Sequence, residues 1–218
     1  YFIEQSDKLS VELFHYLSKW LNKKNNEEKL SRENVIKKVF KNNIDGDRQA
    51  DLKVHGGMDK AVYAYSHDVY SWWQKELKLE QMPYGSLGEN LTIDYLDEAT
   101  IYVGDVFEVG ECQLQAVQPR IPCYKLGIRF GDQSIMQKFN ELHRCGVYFR
   151  VKKEGLIRAN DVFKLIESED IKVSISELFQ FIKDKGVTTK SRAKELAQIQ
   201  SLNEKWRSKF IQISQLPD

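Results

Sequence analysis

Residues 100–118 read T-I-Y-V-G-D-V-F-E-V-G-E-C-Q-L-Q-A-V-Q, and this stretch decides the fold class. Three short runs, 100–103, 106–109 and 112–118, are rich in apolar and β-branched residues. Gly104-Asp105 and Gly110-Glu111 separate them. A two-residue connection opening on glycine is hairpin spacing, because glycine takes the positive φ that a tight turn demands. Working outward, residues 61–65, 147–151 and 162–166 repeat the signal and predict further strands. Two helices interrupt them: 68–77, with Asp68 as N-cap, and 134–142, where Ile135, Phe139 and Leu142 recur at helical spacing. Many short strands with few helices predict a mainly β fold, a barrel or sandwich rather than a doubly wound sheet.

The pattern changes after Glu167. Residues 176–185 end at Gly186, residues 189–199 repeat Ala193, Leu196 and Ala197, and residues 203–213 open on Asn203 with Trp206, Phe210 and Ile213 on one face. This predicts three amphipathic helices. The expected division is an N-terminal segment (1–40), a β-barrel domain (41–168) and a small α-helical domain (169–218). In the first segment Leu13, Phe14, Leu17, Trp20 and Leu21 fit a helical stripe, while 11–16 suits a strand equally well.

Bulk composition narrows the function classes. Hydrophobic residues make up 41% and charged residues 30%, a globular balance. A net charge of +1 supplies no global field toward nucleic acid or anionic membranes. No apolar run approaches the ~18 residues of a membrane span. Three cysteines are too few for a disulfide framework or a four-thiolate cluster, and they fit a reducing, cytoplasmic setting. The sequence opens on Tyr1 and leaves open whether a leader precedes it.

Chemistry concentrates in Gln118-Pro119-Arg120-Ile121-Pro122-Cys123-Tyr124-Lys125-Leu126. An isolated free cysteine is most often a small buried hydrophobe. Here Pro119 and Pro122 stiffen the backbone and bar a central strand, so Cys123 is expected on a fixed loop. Arg120 and Lys125 flank it, and cations favour the thiolate, the form that ligates soft metals or attacks electrophiles. Cys112 shares strand parity with Leu114 and Ala116 and is expected in the core. Cys145, between Arg144 and Gly146, stands at a place suited to an exposed or site-edge thiol, and its position is left open.

Residues 118–158 hold nine Lys or Arg against three Asp or Glu, a local excess of +6. A solvated basic face would explain that. A pocket for a phosphorylated cofactor would too, with Arg120, Arg129, Arg144 and Arg150 as candidate forks. Two glycine clusters allow close backbone approach: His55-Gly56-Gly57-Met58-Asp59-Lys60, and Gly85-Ser86-Leu87-Gly88-Glu89-Asn90. Glu89 and Asn90 offer a carboxylate and an amide to a ligand or to their own loop. His55 alone is more commonly a structural histidine than a metal ligand, and no His or Cys pair has zinc spacing.

These motifs occur in one order: His55-Gly56-Gly57-x-Asp59-Lys60-Ala61-Val62-Tyr63-Ala64-Tyr65, Gly85-x-x-Gly88-Glu89-Asn90-Leu91-Thr92, Gly104-Asp105-Val106-Phe107 and Gln118-Pro119-Arg120-x-Pro122-Cys123-x-Lys125-Leu126. Together they resemble the MOSC family, named after the C-terminal domain of molybdenum-cofactor sulfurases. The helical tail resembles its stand-alone bacterial, YiiM-like branch. The resemblance implies a MOSC-type β-barrel binding a molybdenum–pyranopterin cofactor, with Cys123 as thiolate ligand to molybdenum. It implies cofactor contacts from Arg120, Lys125, Gly56, Gly57, Lys60, Asn90, Glu89, Arg129 and Arg144. It also implies reduction of N-hydroxylated compounds such as 6-hydroxylaminopurine to amines, with His55 or Asp59 relaying protons. The chain has no G-x-G-x-x-G fingerprint and no cluster of cysteines, so a separate electron-donating reductase is expected. Two other functions compete: a sulfur carrier using a Cys123 persulfide, and a non-catalytic cofactor-binding module.

Overall fold

A computed structural model describes residues 36–46, 57–183 and 188–216. The expectations for the first 35 residues, for His55 and Gly56, and for Gly186 fall outside these. Ile36–Ile157 with Asp161–Asp218 make one compact unit; of the other unit, only Arg158–Asn160 are described.

A six-stranded mixed sheet curls into a half-barrel. Its strands are β3 (Val62–Ser66), β4 (Leu91–Ile93), β5 (Val106–Val109), β6 (Cys112–Pro119), β7 (Val147–Lys153) and β9 (Lys164–Glu167), in the order β4-β3-β7-β6-β5-β9. Only β3–β4 is parallel. A smaller sheet joins β1 (Ile36–Phe40), β2 (Asn43–Ile44) and β8 (Gly155–Arg158). The mainly β architecture read from residues 100–118 is borne out. β5 and β6 form the expected hairpin, Val109 opposite Cys112 with Gly110 at φ +57°. β3 is buried at all five positions, which is why it reads as a continuous apolar run rather than an alternation.

The strand expected at 100–103 is absent. Ile101 O accepts from Ile175 N and Val103 N donates to Val173 O, both at 2.9 Å, leaving a single bridge, Tyr102–Ser174. Asp105 is the cause: its Oδ2 accepts from Tyr102 N at 2.9 Å and folds the chain into a tight turn before a ladder can form. The Gly104-Asp105 motif therefore shapes the backbone.

Six α-helices complete the described residues: α1 (Tyr70–Leu77), α2 (Tyr124–Phe130), α3 (Ile135–Leu142), α4 (Ile175–Lys183), α5 (Lys190–Leu196) and α6 (Glu204–Ser214). Asp68 does not cap α1; it lies in a 3-10 turn, and its carboxylate faces Arg144. α4 packs against β6 and α5 against α6, so the C-terminal helices share a compact unit with the sheet. Asn203 caps α6 as expected, accepting from Lys205 N at 3.0 Å. Helix α2 was not expected, and it carries the cysteine.

Candidate functional site

β6 ends at Pro119, a position where the missing N–H costs no interior ladder bond. The chain turns through Pro122 and enters α2. Cys123 is the N-cap of that helix, in an extended conformation with no side-chain cap bond. The proline-stiffened segment is thus a short strand-to-helix elbow, with Leu126 N donating to Cys123 O at 2.9 Å.

Burial sorts the three thiols. Cys112 and Cys145 are both 0% exposed, whereas Cys123 is half-buried. Burial pushes the Cys112 thiol up to about 11 and the Cys145 thiol well above its ordinary value. Cys112 is in the core as expected. Cys145, left open from sequence, lies inside, because Gly146 at φ +68° tucks the chain against β3 and Tyr63 Oη bonds Cys145 O at 3.0 Å.

Arg120 braces the elbow. Its guanidinium stacks 4.8 Å from the Tyr63 ring centroid and 5.7 Å from that of Phe139, and its Nη1 donates to Leu87 O. This ties the cysteine segment to the 85–90 loop. Glu89 staples that loop from within. Oε1 accepts from Gly85 N (3.1 Å), Thr92 Oγ1 (3.2 Å) and Tyr70 Oη, and Oε2 accepts from Leu87 N (3.0 Å). Asn90 exchanges two bonds with β3: Tyr63 N to Oδ1 at 2.7 Å and Asn90 N to Tyr63 O at 2.8 Å. Glu89 thus bonds within and beside its own loop, and Asn90 ties that loop to β3.

Burial raises the Glu89 carboxyl above its usual range. The folded state therefore keeps a proton that the unfolded chain releases, and this contribution to stability is present at low pH and lost as pH rises from about 4.5 through the folded value. Glu89→Gln places an NH2 against one of four donors and should cost about 1–3 kcal/mol. The penalty should be greatest near pH 4.5 and shrink as pH rises. Thermal melts of both proteins from pH 4.5 to 8 test this; a penalty that grows with pH contradicts it.

The +6 excess is only partly available to a ligand. Arg144 engages all three guanidinium nitrogens: Nε to Glu98 (2.9 Å), Nη1 and Nη2 to Asp68 (3.1 and 3.0 Å), and Nη2 to Leu96 O (2.6 Å). Its donors are thereby turned to the protein itself, tying the 67–69 turn to the 96–98 segment. Arg150 forks onto Asp59 Oδ1, with Nε at 2.7 Å and Nη2 at 2.6 Å. Arg129 is exposed on α2, within the field of Arg120 and Glu89. Burial also lowers Lys60, and nearby Lys205 adds to the effect. Lys125 is half-buried on α2.

Asp59 sits in a 3-10 turn, Met58–Lys60, led by Gly57 at φ +101°, where an added Cβ would meet nothing within 4 Å. Gln118 Nε2 donates to Asp59 O at 3.3 Å, joining this turn to the end of β6. The structure thus links the Asp59 turn, the 85–90 loop and the Cys123 elbow through Gln118, Arg120 and Tyr63. Tyr63, Gln118 and Asn203 were given no site role from sequence; all act across long separations. Among the described residues no three His, Cys, Asp or Glu converge on a common point. The site offers one accessible thiol in basic surroundings rather than a cage for a bare cation. This donor set suits a metal that brings its own ligands and an anionic tail.

Comparison with known proteins gives the family. A family model described as MOSC domain matches residues 51–164, and the chain belongs to the MOSC domain family. The uncharacterized protein YflK of Bacillus subtilis is 34% identical over 175 residues, 79% of this chain and 77% of its own length. A protein named Reductase from Gibberella moniliformis is 32% identical over 137 residues, 62% of this chain but 24% of its own length. The crystal structure of YiiM from Geobacillus stearothermophilus superposes with a TM-score of 0.69 at 26% identity, covering 82% of this chain and 84% of that one.

Proposed function

We propose that this chain binds a molybdenum–pyranopterin cofactor through Cys123 and reduces N-hydroxylated compounds, such as 6-hydroxylaminopurine, to amines. The observation that carries the reading is the sorting of the thiols: two are buried in the core, and the third stands half-exposed on a braced elbow. Membership of the MOSC domain family supports it, as does the name Reductase borne by the Gibberella moniliformis relative.

Each residue has a task in this reading. Cys123 supplies a thiolate ligand, held in place by Pro122 and the stacked Arg120. Lys60, Lys125 and Arg129 offer positive charge to a phosphate, and Gly57 leaves its backbone unobstructed. When bound, the cofactor supplies a two-electron redox centre able to accept oxygen. The overall change, R-NHOH with two electrons and two protons giving R-NH2 and water, requires proton delivery. Asp59, oriented by Arg150, or His55 provides that. A separate reductase supplies the electrons in a reducing, cytoplasmic setting. No described helix is long and apolar enough to cross a membrane.

Expression in a cofactor-producing host should give close to one molybdenum and one pterin per chain, with turnover of 6-hydroxylaminopurine once a competent donor is added. Folded protein that repeatedly carries neither overturns the reading. A labile sulfur adduct on Cys123 without metal would favour sulfur transfer instead.

A further inference from the structure

We infer that Asn203, at the head of the last helix, is a positioning residue for Asp59, so that the C-terminal helices help set the geometry of the site turn. The inference rests on the reading of Asp59 as part of the functional site.

Asn203 uses both ends of its amide. Oδ1 accepts from Lys205 N at 3.0 Å and caps α6, while Nδ2 donates to Asp59 Oδ2 at 2.5 Å. The orientation is chemically forced. Reversing the amide would set its oxygen against a carboxylate and its NH2 against a backbone N–H, losing both bonds. Asp59 is therefore gripped from two sides, by the Arg150 fork on Oδ1 and by Asn203 on Oδ2. Its own carbonyl is held by Gln118. Together these fix the carboxylate plane.

The donor is itself anchored. Glu169 accepts from Gln200 N (3.1 Å) and Ser201 N (2.9 Å), and Arg207 reaches back to Ile199 O (3.1 Å) and to Gln200 O. The loop delivering Asn203 is thus braced from the 168–170 segment and from α6. A capping residue whose only task was its helix would need no such reach, since the cap uses the oxygen alone. Lys205 and Lys60 lie close enough to interact, so α6 also contributes charge beside the turn.

Asn203→Asp separates the two roles: a carboxylate keeps the cap and removes the donor. Hydrogen exchange at Lys60 N, bonded to Gly57 O at 3.0 Å, should quicken about tenfold, while the α6 amides of Trp206 and Arg207 keep their protection. Adding Asp59→Asn restores a donor–acceptor pair in the reverse sense and should return Lys60 protection toward wild type. In the cofactor-loaded protein, Asn203→Asp alone should lower kcat by about tenfold with KM unchanged. Unchanged Lys60 protection, or equal loss along α6, overturns the inference. Because exchange is read without turnover, it decides the positioning role even if hydroxylamine reduction is not the reaction.

Discussion

Cys123→Ser should lower N-hydroxylamine reduction by about a thousandfold or more while leaving the fold at least as stable as before. Outer partners of a metal-bound residue are typically worth 10–100-fold, and the ligand itself exceeds that. The stability half of the result follows from the position. Cys123 occupies an N-cap with extended backbone and no side-chain bond to the helix. Serine is among the preferred residues there, and its hydroxyl can accept from a first-turn amide, a gain of up to about 1 kcal/mol. The thiol is half-buried and closes no core cavity, so nothing offsets that gain. Turnover, metal content and thermal midpoint measured on one preparation check the three parts. Undiminished turnover would remove Cys123 from the mechanism.

Arg120→Ala should destabilise the fold by about 3–5 kcal/mol, and Arg120→Lys should recover less than half of that. A desolvated cation over aromatic faces is worth about 2 kcal/mol, and a bond from a charged donor about 1.5–3. Arg120 makes both, over Tyr63 and Phe139 and to Leu87 O. Lysine keeps the charge but cannot stack a planar fork on one ring while bonding a carbonyl behind it. Denaturant midpoints at constant slope measure the effect. The prediction separates two roles for Arg120: a residue that only bound phosphate would, when truncated, cost cofactor and leave stability near wild type. An Arg120→Lys protein as stable as wild type would rule out the brace.

Much of the fold was legible because its signals are local. The Gly110 hairpin, the fully buried β3 run and the Asn203 cap each act within a few residues, and each holds in the structure. Besides the Asp68 cap, two other local features escaped the sequence reading for identifiable reasons. Residues 100–103 have strand composition, but their hydrogen bonds go to the lead-in of α4 because Asp105 folds the chain back. Helix α2 was hidden by Gly127 and by the aromatic and β-branched residues around it, which lower intrinsic propensity. Its stop signal was present in Gly131, at φ +64°.

For the stretch at residues 100–118 and the elbow beyond it, the sequence by itself determined the strand-rich class, the family motifs and Cys123 as the candidate reactive thiol. Tertiary structure alone decided how the cations are spent. Arg120, Arg129, Arg144 and Arg150 look alike in a charge count, yet Arg144 and Arg150 are paired with carboxylates and Arg120 is stacked on rings. It also decided that Cys145 lies inside, and that a residue 144 positions away orients Asp59. The physical reason is range. Propensity and turn chemistry act over a few residues, whereas ion pairing and burial depend on which distant segments the fold brings together.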